Sequence, residues 1–243
     1  MSAAATYATL RRLSVPILTT AEAAAALHTS GSSASRGLRT LEARGLVRRV
    51  RHGLWIVGDQ PLDPRSIVTE LTRPLPAYVS FQSALAARGA IDQIPREISV
   101  ASLAKPRRIE TRLAAYVIHR LPPALFGGFE ESNGVPLATV EKALFDYYYV
   151  AAASGRTRAR LPELDLAATF SRKELDRWVA RIRSARLRTR VRESLERSLE
   201  LAEYDDARAP RRRSSTTHRA KAASGGSRRA AASPSSRARV RND

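Results

Sequence analysis

The chain has 243 residues, a formal net charge of +19 at pH 7, 43% hydrophobic residues and no cysteine. This length suffices for one large domain or two small ones, and the absence of thiols excludes disulfides, thiolate metal sites and cysteine nucleophiles. No run approaches the roughly 18 apolar residues of a membrane span, and no basic segment followed by an apolar core opens the chain, so we expect a cytoplasmic protein.

The positive charge is distributed unevenly along the chain. Residues 1–60 carry 8 basic and 3 acidic side chains, residues 61–206 carry 23 and 19, and residues 207–243 carry 11 and 1. The net charges of the three regions are therefore +5, +4 and +10. We expect these regions to be a DNA-binding domain, a nearly charge-balanced second domain and a basic tail.

The first predicted elements are helices. Residues 7–13 have a helical pattern, and Pro16 breaks the chain before a second helix that Thr20 caps and whose first turn contains Glu22. A third helix follows in the segment S-S-A-S-R-G-L-R-T-L-E-A-R. Gly45 ends it, because glycine readily adopts the left-handed conformation that closes a last helical turn.

The third helix has two different faces. At about 100° per residue, Ala34, Leu38 and Leu41 share one side, which predicts a packed face. The opposite side combines small residues with two arginines, and arginine binds guanine or phosphate while serine lets a backbone come close. The side chains that we expect to contact DNA from this helix are Ser32, Ser33, Ser35, Arg36, Arg39 and Thr40, and Ala43 lies on the same side.

A basic hairpin follows the third helix. We predict a strand that ends near Val50, a turn through residues 51–53 and a return strand over residues 54–57. On or near its tip lie Arg48, Arg49, Arg51 and His52, which we expect to reach phosphates or the minor groove. Helices followed by a hairpin are typical of a winged helix-turn-helix, whose partner is double-stranded DNA. The alternative is a small helical hairpin with a solvated arginine face.

Residues 61–206 predict a mixed α+β second domain. A linker with two prolines spans residues 59–64, and a helix is expected at residues 66–71. Ser80 is the predicted cap of a helix at residues 81–88. The segments 97–103 and 114–121 have strand patterns, and Thr139 caps an apolar helix.

Two amphipathic helices end this domain. Ser171 and Glu174 have the spacing of a capping box. The inward stripes are Leu175, Trp178, Val179 and Ile182 in the first helix and Val191, Leu195, Leu199 and Ala202 in the second. Two i,i+4 pairs, Arg192 with Glu196 and Glu193 with Arg197, are expected on a solvated face.

The tail at residues 207–243 consists mainly of Ala, Ser, Gly and Arg, with Val240 as its one branched aliphatic residue. Such a segment buries too little apolar surface to offset its ordering entropy, so we predict disorder. A sequence-independent DNA tether and a solubilising extension both fit this composition.

Two segments resemble one protein family. They are Y-V-S-F-Q-S-A-L-A-A-R-G-A-I-D-Q-I-P at 78–95 and V-P-L-A-T-V-E-K-A-L-F-D at 135–146. Behind a winged helix, this layout resembles the AbiEi-type antitoxins of type IV toxin–antitoxin (abortive infection) systems. The resemblance implies a prokaryotic, nucleoid-associated protein that represses its own operon and counteracts a nucleotidyltransferase-like toxin through its C-terminal domain. It leaves open whether the toxin is bound directly.

The family pattern A-T-P-E-K-A-L-x-D falls on residues 138–146, where Val140 replaces the proline. The resemblance makes Thr139, Glu141, Lys142 and Asp146 candidate residues of the antitoxin domain. Elementary helix chemistry offers another interpretation, in which Glu141 favours the helix N-terminus while Lys142 and Asp146 pair on the surface.

Enzyme signatures are missing from the sequence. None of the four lysines follows a glycine, no acidic residue has a lysine two positions on, and H-E-x-x-H and G-x-S-x-G are absent. His28, His52, His119 and His218 are expected in a helix, the hairpin, a strand and the tail, without metal-ligand spacing. We therefore predict no enzyme, cofactor or metal, and regard a DNA-processing enzyme as a remote alternative. The main alternative is a ligand-responsive transcription factor with a pocket at residues 147–149.

Overall fold

The structure is a computed structural model that describes residues 2–156, 161 and 163–208, without the side chains of residues 203–208. The tail is predicted to begin at residue 207, but residues 207 and 208 belong to a helix that ends at Arg208. The rest of the predicted tail, with His218, lies outside the described residues. Within the described residues the fold is mixed α+β, with eight α-helices and two sheets.

The first sheet belongs to residues 2–58. Its strands, which are antiparallel and lie in the order β1-β3-β2, are β1 (Ile17–Thr19), β2 (Val47–Arg51) and β3 (Leu54–Val57). Three helices accompany it: α1 (Ala3–Arg12), α2 (Thr20–Ala26) and α3 (Gly31–Ala43). The predicted third helix and hairpin are therefore confirmed, with Arg51 in the strand instead of the turn.

Hydroxyl side chains determine where these helices begin. Ser2 caps α1, which starts at Ala3 and not at the predicted residue 7. The cap of α2 is Thr19, so the assignment of this cap to Thr20 was wrong. Thr19 forms a capping box with Glu22, whereas the Thr20 hydroxyl accepts a hydrogen bond of 2.9 Å from Trp55 Nε1. Two adjacent threonines offer the same chemistry, and only one of them has a side chain directed at the helix start.

Strand β3 faces two hydrophobic cores. Trp55 and Val57 pack into a core formed by α1, α2 and α3, whereas Leu54 and Ile56 belong to the core of the following residues. Alternation of side chains along a strand produces this division. The hydrophobic core therefore continues across the predicted boundary at residue 60.

The second sheet has six strands in the order β6-β7-β5-β4-β9-β8. The strands are β4 (Ala77–Val79), β5 (Ile98–Ser102), β6 (Arg107–Glu110), β7 (Ala115–Arg120), β8 (Phe129–Ser132) and β9 (Val135–Ala138). Two neighbouring pairs, β4 with β9 and β5 with β7, are parallel, and the other three are antiparallel. Both strands expected from the sequence, β5 and β7, are present.

Helix α6 (Val140–Ala153) lies in contact with β9, α5 (Phe81–Ala87), α7 (Arg172–Ala180) and α8 (Ala185–Arg208). The predicted apolar stripes of α7 and α8 are buried, as expected from their spacing. The helix predicted at residues 66–71 is shorter, because a 3₁₀ turn at Pro64–Ile67 precedes α4 (Val68–Thr72).

The predicted charge pairs on α8 are not formed. Arg197 Nε donates to the backbone carbonyl of Glu193 over 3.1 Å, and Glu196 lies 4.0 Å from Arg172 on α7. Arg192 is exposed and forms no ion pair among the described residues. Exposed helix pairs are worth only a few tenths of a kcal/mol, so competing partners displace them easily.

Polar contacts join the N-terminal elements to the rest of the described chain. The backbone N–H of Arg112 donates to the Val50 carbonyl at 3.1 Å, and Arg112 Nη1 pairs with Glu42 at 2.7 Å. Arg73 pairs with Glu22, also at 2.7 Å. Strand β3 also packs into the core of the following residues. These polar and apolar contacts together hold residues 2–58 against the rest of the described chain.

Candidate functional site

Helix α3 presents a polar face to solvent. Ala34, Leu38 and Leu41 are buried, as their helical spacing predicted. Of the predicted DNA-contacting residues on the opposite side, Ser32, Arg36, Arg39 and Thr40 are exposed, and Ser33 and Ser35 are half-buried. The predicted separation of a packed face from a polar, solvent-facing side is therefore confirmed.

The start of α3 is held by a cluster of serine hydroxyls. The Ser30 hydroxyl accepts from the N–H of Ser33 at 3.3 Å and lies 3.0 Å from the Ser32 hydroxyl. Arg36 Nη2 donates to the Ser33 hydroxyl at 3.1 Å, which lays its guanidinium along the helix. Within the described residues, Arg39 forms no hydrogen bond or ion pair through its side chain. Both guanidiniums are thus available on the same side of the helix.

The positive charge of residues 1–60 is not neutralised from within. None of the eight arginines in this region has a carboxylate partner among the described residues. Two of the three carboxylates, Glu22 and Glu42, are instead paired with Arg73 and Arg112 from the following region. The hydrogen bond from the Thr19 N–H, followed by that from Arg73, lowers the pKa of Glu22, so this carboxylate is ionised and its charge is compensated locally.

The hairpin places its basic residues in different environments. Arg48 is exposed and donates to the Gln60 carbonyl at 3.2 Å, and His52 is exposed at the turn. Arg49 and Arg51 are half-buried, and the Nε atom of Arg51 is buried without a hydrogen-bond partner in the described part of the chain. Arg48 and Arg49 border a cleft of about 220 Å³ together with Arg112. The four basic side chains therefore do not form one row at the hairpin tip. Arg48 and Arg49 border this cleft, whereas Arg51 and His52 do not.

The segment that resembles the antitoxin family lies in the interior. Thr139 caps α6 by accepting from the N–H of Lys142 at 3.2 Å, as predicted despite Val140 at the proline position. Lys142 and Asp146 are both 0% exposed and form an ion pair. The interpretation of this pair as a surface pair was wrong, because the same i,i+4 spacing also fits a pair enclosed by α5, α7 and the sheet.

Glu141 lies in the first turn of α6, as expected, and also caps a second helix. Its Oε1 accepts from the backbone N–H of Ser171 at 2.7 Å, immediately before α7. The Ser171 hydroxyl accepts from the Glu174 N–H at 3.2 Å, so half of the predicted capping box is present. Glu141 replaces Glu174 in the other half. It therefore links the starts of α6 and α7.

The buried ion pair is surrounded by hydroxyl groups and aromatic rings. Asp146 Oδ2 accepts from the Ser80 hydroxyl at 2.7 Å and from the Tyr78 hydroxyl at 3.0 Å. Lys142 Nζ donates to the Leu125 carbonyl at 2.8 Å and lies 4.5 Å from the centre of the Trp178 ring. The Ser80 hydroxyl therefore does not cap α5, contrary to the sequence prediction.

Burial dominates the titration of this cluster. It lowers the pKa of Lys142 and raises the pKa of Asp146, while the attraction between the two opposes both shifts. Burial, followed by the charge of Asp146, raises the pKa of Tyr78, which keeps its hydroxyl a donor. Both charged groups are enclosed and have no solvent-exposed surface. Tyr78 in β4 and Ser80 directly after it lie within the first family-like segment but gave no separate signal in the sequence.

The three consecutive tyrosines lie in different environments. Tyr148 is buried, whereas Tyr147 and Tyr149 are half-buried. Tyr149 borders two cavities of about 500 and 440 Å³. Of the residues of the predicted pocket, Tyr149 lines these two cavities.

The described histidines lie in three different segments of the fold. His28 follows α2 at φ 51° and not inside a helix, His52 lies at the hairpin turn, and His119 lies in β7. Burial, followed by the charge of Arg156, lowers the pKa of His119 to about 4. Among the residues that the structure describes, no three His, Cys, Asp or Glu side chains are grouped as metal ligands.

No helix in the described ranges combines the length and apolarity that crossing a membrane requires. The resemblance to AbiEi-type antitoxins rests on the two quoted segments. Comparison of the chain with protein-family models and with curated proteins finds no match.

Proposed function

We propose that residues 1–60 form a winged helix-turn-helix that binds double-stranded DNA, with α3 as the recognition helix in the major groove. The observation that carries this proposal is the set of arginines without carboxylate partners, beside acids that are neutralised by Arg73 and Arg112. Binding to phosphates releases condensed counterions, so an uncompensated basic surface favours a polyanion.

The order of elements supports the same proposal. Two helices, α2 and α3, are followed by the β2–β3 hairpin, with β1 completing the sheet. This is the order of a winged helix, in which the second of the two helices contacts base edges. The major groove is about 12 Å wide and accepts an α-helix. In this arrangement Arg36 and Arg39 read bases or grip phosphates, and the hairpin arginines contact the backbone.

The proposal extends to a bacterial type IV antitoxin that represses its own operon and opposes a nucleotidyltransferase-like toxin. Its support is the resemblance of residues 78–95 and 135–146 to AbiEi-type antitoxins. Because Glu141, Lys142 and Asp146 are buried, they act in this proposal by holding α6 and α7 in place. Any direct contact with the toxin then belongs to exposed residues of the second region.

Arg36→Ala and Arg39→Ala are expected to weaken binding to DNA from the protein's own promoter. Removing a base-reading side chain costs roughly 1–3 kcal/mol, which corresponds to about fivefold to 150-fold in affinity. Binding to a scrambled duplex of the same composition should change much less. Fluorescence anisotropy titrations with both duplexes measure the difference, and Arg192→Ala on the exposed face of α8 is the control for charge.

The same titrations test the hairpin. Replacing Arg48 and Arg49 by alanine should weaken both duplexes equally, and should flatten the dependence of log K on log salt by about 0.9 for each phosphate that the protein no longer neutralises. Equal losses of affinity on both duplexes for Arg36→Ala would limit α3 to phosphate binding. An Arg192→Ala effect as large as that of Arg39→Ala would refute the proposed interface.

The antitoxin proposal predicts that repression and protection are separable within the full chain. A variant with Arg36→Ala and Arg39→Ala, expressed from an unrelated promoter, should still relieve growth arrest by the nucleotidyltransferase-like toxin of the same operon. Whole-chain variants are preferable to fragments, because Leu54 and Ile56 pack into the second core. Colony counts during induction of the toxin measure protection.

The outcomes of this growth experiment are distinct. Protection by both the wild type and the variant supports an antitoxin that acts outside transcription. Loss of protection in the variant means that the toxin is controlled through DNA binding. If the operon encodes no such toxin, or if the wild type does not protect, the antitoxin proposal fails and a DNA-binding repressor is left.

A further inference from the structure

A groove lies in the second region, and no residue of α3 or its hairpin lines it. It consists of two adjoining cavities of about 500 and 440 Å³ that share Pro122, Pro123 and Tyr149 in their walls. We call this feature the arginine groove, because Arg120 and Arg156 line the first cavity and Arg181 and Arg183 line the second. Cavities of this size are within the range of binding sites.

The charge of the arginine groove is of one sign. No carboxylate side chain lines either cavity. Arg120, Arg156 and Arg183 are exposed and form no ion pair among the described residues. Elsewhere in this region carboxylates pair with several exposed arginines, including Arg108 and Arg177. The groove therefore holds positive charge that is not compensated locally.

The geometry of Arg181 is suited to an anionic ligand. Its guanidinium carbon lies over the Trp178 ring, 4.1 Å from the ring centre, a distance at which a guanidinium can stack on an aromatic surface. Stacking fixes the plane of a guanidinium while leaving its N–H edges available, and those edges match a carboxylate in a bidentate geometry.

The middle of the groove is apolar. The residues shared by both cavities are two exposed prolines and the half-buried ring of Tyr149. His119, which also lines the first cavity, is neutral at pH 7 because its pKa is lowered to about 4. Each cavity thus has its own pair of arginines, and the apolar residues belong to the wall that the two cavities share.

We propose that the arginine groove binds an extended acidic segment of another protein, in which acidic residues flank an apolar side chain. Carboxylates on both sides match the two pairs of arginines, and the central side chain packs on Pro122, Pro123 and Tyr149. A nucleotide carries its phosphates at one end and matches only half of this charge pattern. The protein's own residues 207–243 carry 11 basic and 1 acidic side chains, so charge complementarity excludes them as the occupant.

The test uses a fluorescein-labelled peptide, Glu-Glu-Leu-Phe-Glu-Glu, and the full-length protein. Anisotropy should show saturable binding to the wild type. Arg120→Glu and Arg183→Glu, one in each cavity, should each weaken binding roughly threefold to tenfold, since each replaces an exposed attraction by a repulsion. Arg192→Glu makes the same change of net charge on the exposed face of α8 and should leave the affinity unchanged.

Two further peptides separate charge from apolar contact. Gln-Gln-Leu-Phe-Gln-Gln should not bind, and Glu-Glu-Ser-Ser-Glu-Glu should bind more weakly than the first peptide. If Arg192→Glu and Arg120→Glu weaken binding of the peptide equally, the binding is nonspecific electrostatic attraction and the proposal is overturned. A single-stranded oligonucleotide that displaces the peptide, and whose own affinity falls in Arg120→Glu and Arg183→Glu, would assign the groove to nucleic acid.

This proposal does not depend on DNA binding by residues 1–60. Arg36→Ala should leave the affinity for the acidic peptide unchanged, because Arg36 is not part of the arginine groove. Failure of the duplex titrations and failure of the peptide titrations are therefore distinguishable.

Discussion

Replacing Lys142 by methionine is expected to lower the free energy of unfolding by about 3–5 kcal/mol, the usual cost of removing one partner of a buried ion pair. Methionine fills a similar volume, so the main loss is electrostatic. Asp146, which is 0% exposed, would keep its hydrogen bonds from Tyr78 and Ser80 but lose the cation that compensates its charge. Urea unfolding at pH 7 measures the effect.

A matched control and a second variant make this prediction specific. Lys105→Met removes an exposed lysine and should change the stability by less than about 0.5 kcal/mol. Asp146→Asn in the Lys142→Met background removes the unpaired charge, so the double variant should be more stable than Lys142→Met alone. If the losses of stability of the single variants Lys142→Met and Asp146→Asn add up to the loss in the double variant, the two residues are not energetically coupled.

The pH dependence of Lys142→Met has a definite sign. Burial raises the pKa of Asp146 and Lys142 lowers it, so removal of Lys142 moves the pKa of the carboxyl further above its unfolded value. A group with a raised folded pKa adds stability below its unfolded pKa, and this stability is lost as the pH rises through the folded pKa. The deficit of the variant relative to the wild type should therefore shrink as the pH falls from 7 towards 5.

Gly128→Ala is expected to cost about 2–4 kcal/mol, from a strained backbone conformation and from overpacking. Gly128 has φ +71°, and a Cβ atom there would lie 2.6 Å from Trp178 Cζ2 and 2.9 Å from Lys142 Cγ. The buried ring and the enclosed lysine stem cannot both withdraw without disturbing the ion pair. Urea unfolding of the variant measures the loss.

Gly134→Ala separates the two contributions to this effect. Gly134 has φ +76° but no atom within 4 Å of a Cβ position, so only the backbone strain of about 1–2 kcal/mol applies. The excess loss of stability in Gly128→Ala reports the clash with Trp178 and Lys142. Equal losses in the two variants would show that this clash relaxes without cost.

Local periodicity made α3 the best predicted element. Ala34, Leu38 and Leu41 are buried because residues at these intervals lie on one side of any α-helix. Gly45 ends the region at φ +71°, as its missing Cβ allows. Such features depend on a few neighbouring residues, and the sequence contains all of them.

Sequence periodicity does not predict contacts between residues that are distant in the chain. Arg73 and Arg112 pair with carboxylates 51 and 70 residues away, so the sequence alone did not show that Glu22 and Glu42 are neutralised. The enclosure of Lys142 and Asp146 has the same origin. A helical pair at i,i+4 is identical on a solvated and on a buried face, and only the surrounding elements distinguish the two.

The four residues of β3 limit how residues 1–60, the proposed DNA-binding head, can be exchanged between proteins during evolution. Trp55 and Val57 serve one core while Leu54 and Ile56 serve the other. A recombination event that transfers residues 1–60 to an unrelated partner leaves a hydrophobic strand face uncovered, and the recipient must supply a complementary surface. Inheritance of the head together with its own second region avoids that requirement. New operator specificity is then reached more easily by substitutions on the exposed side of α3 than by exchange of the entire head.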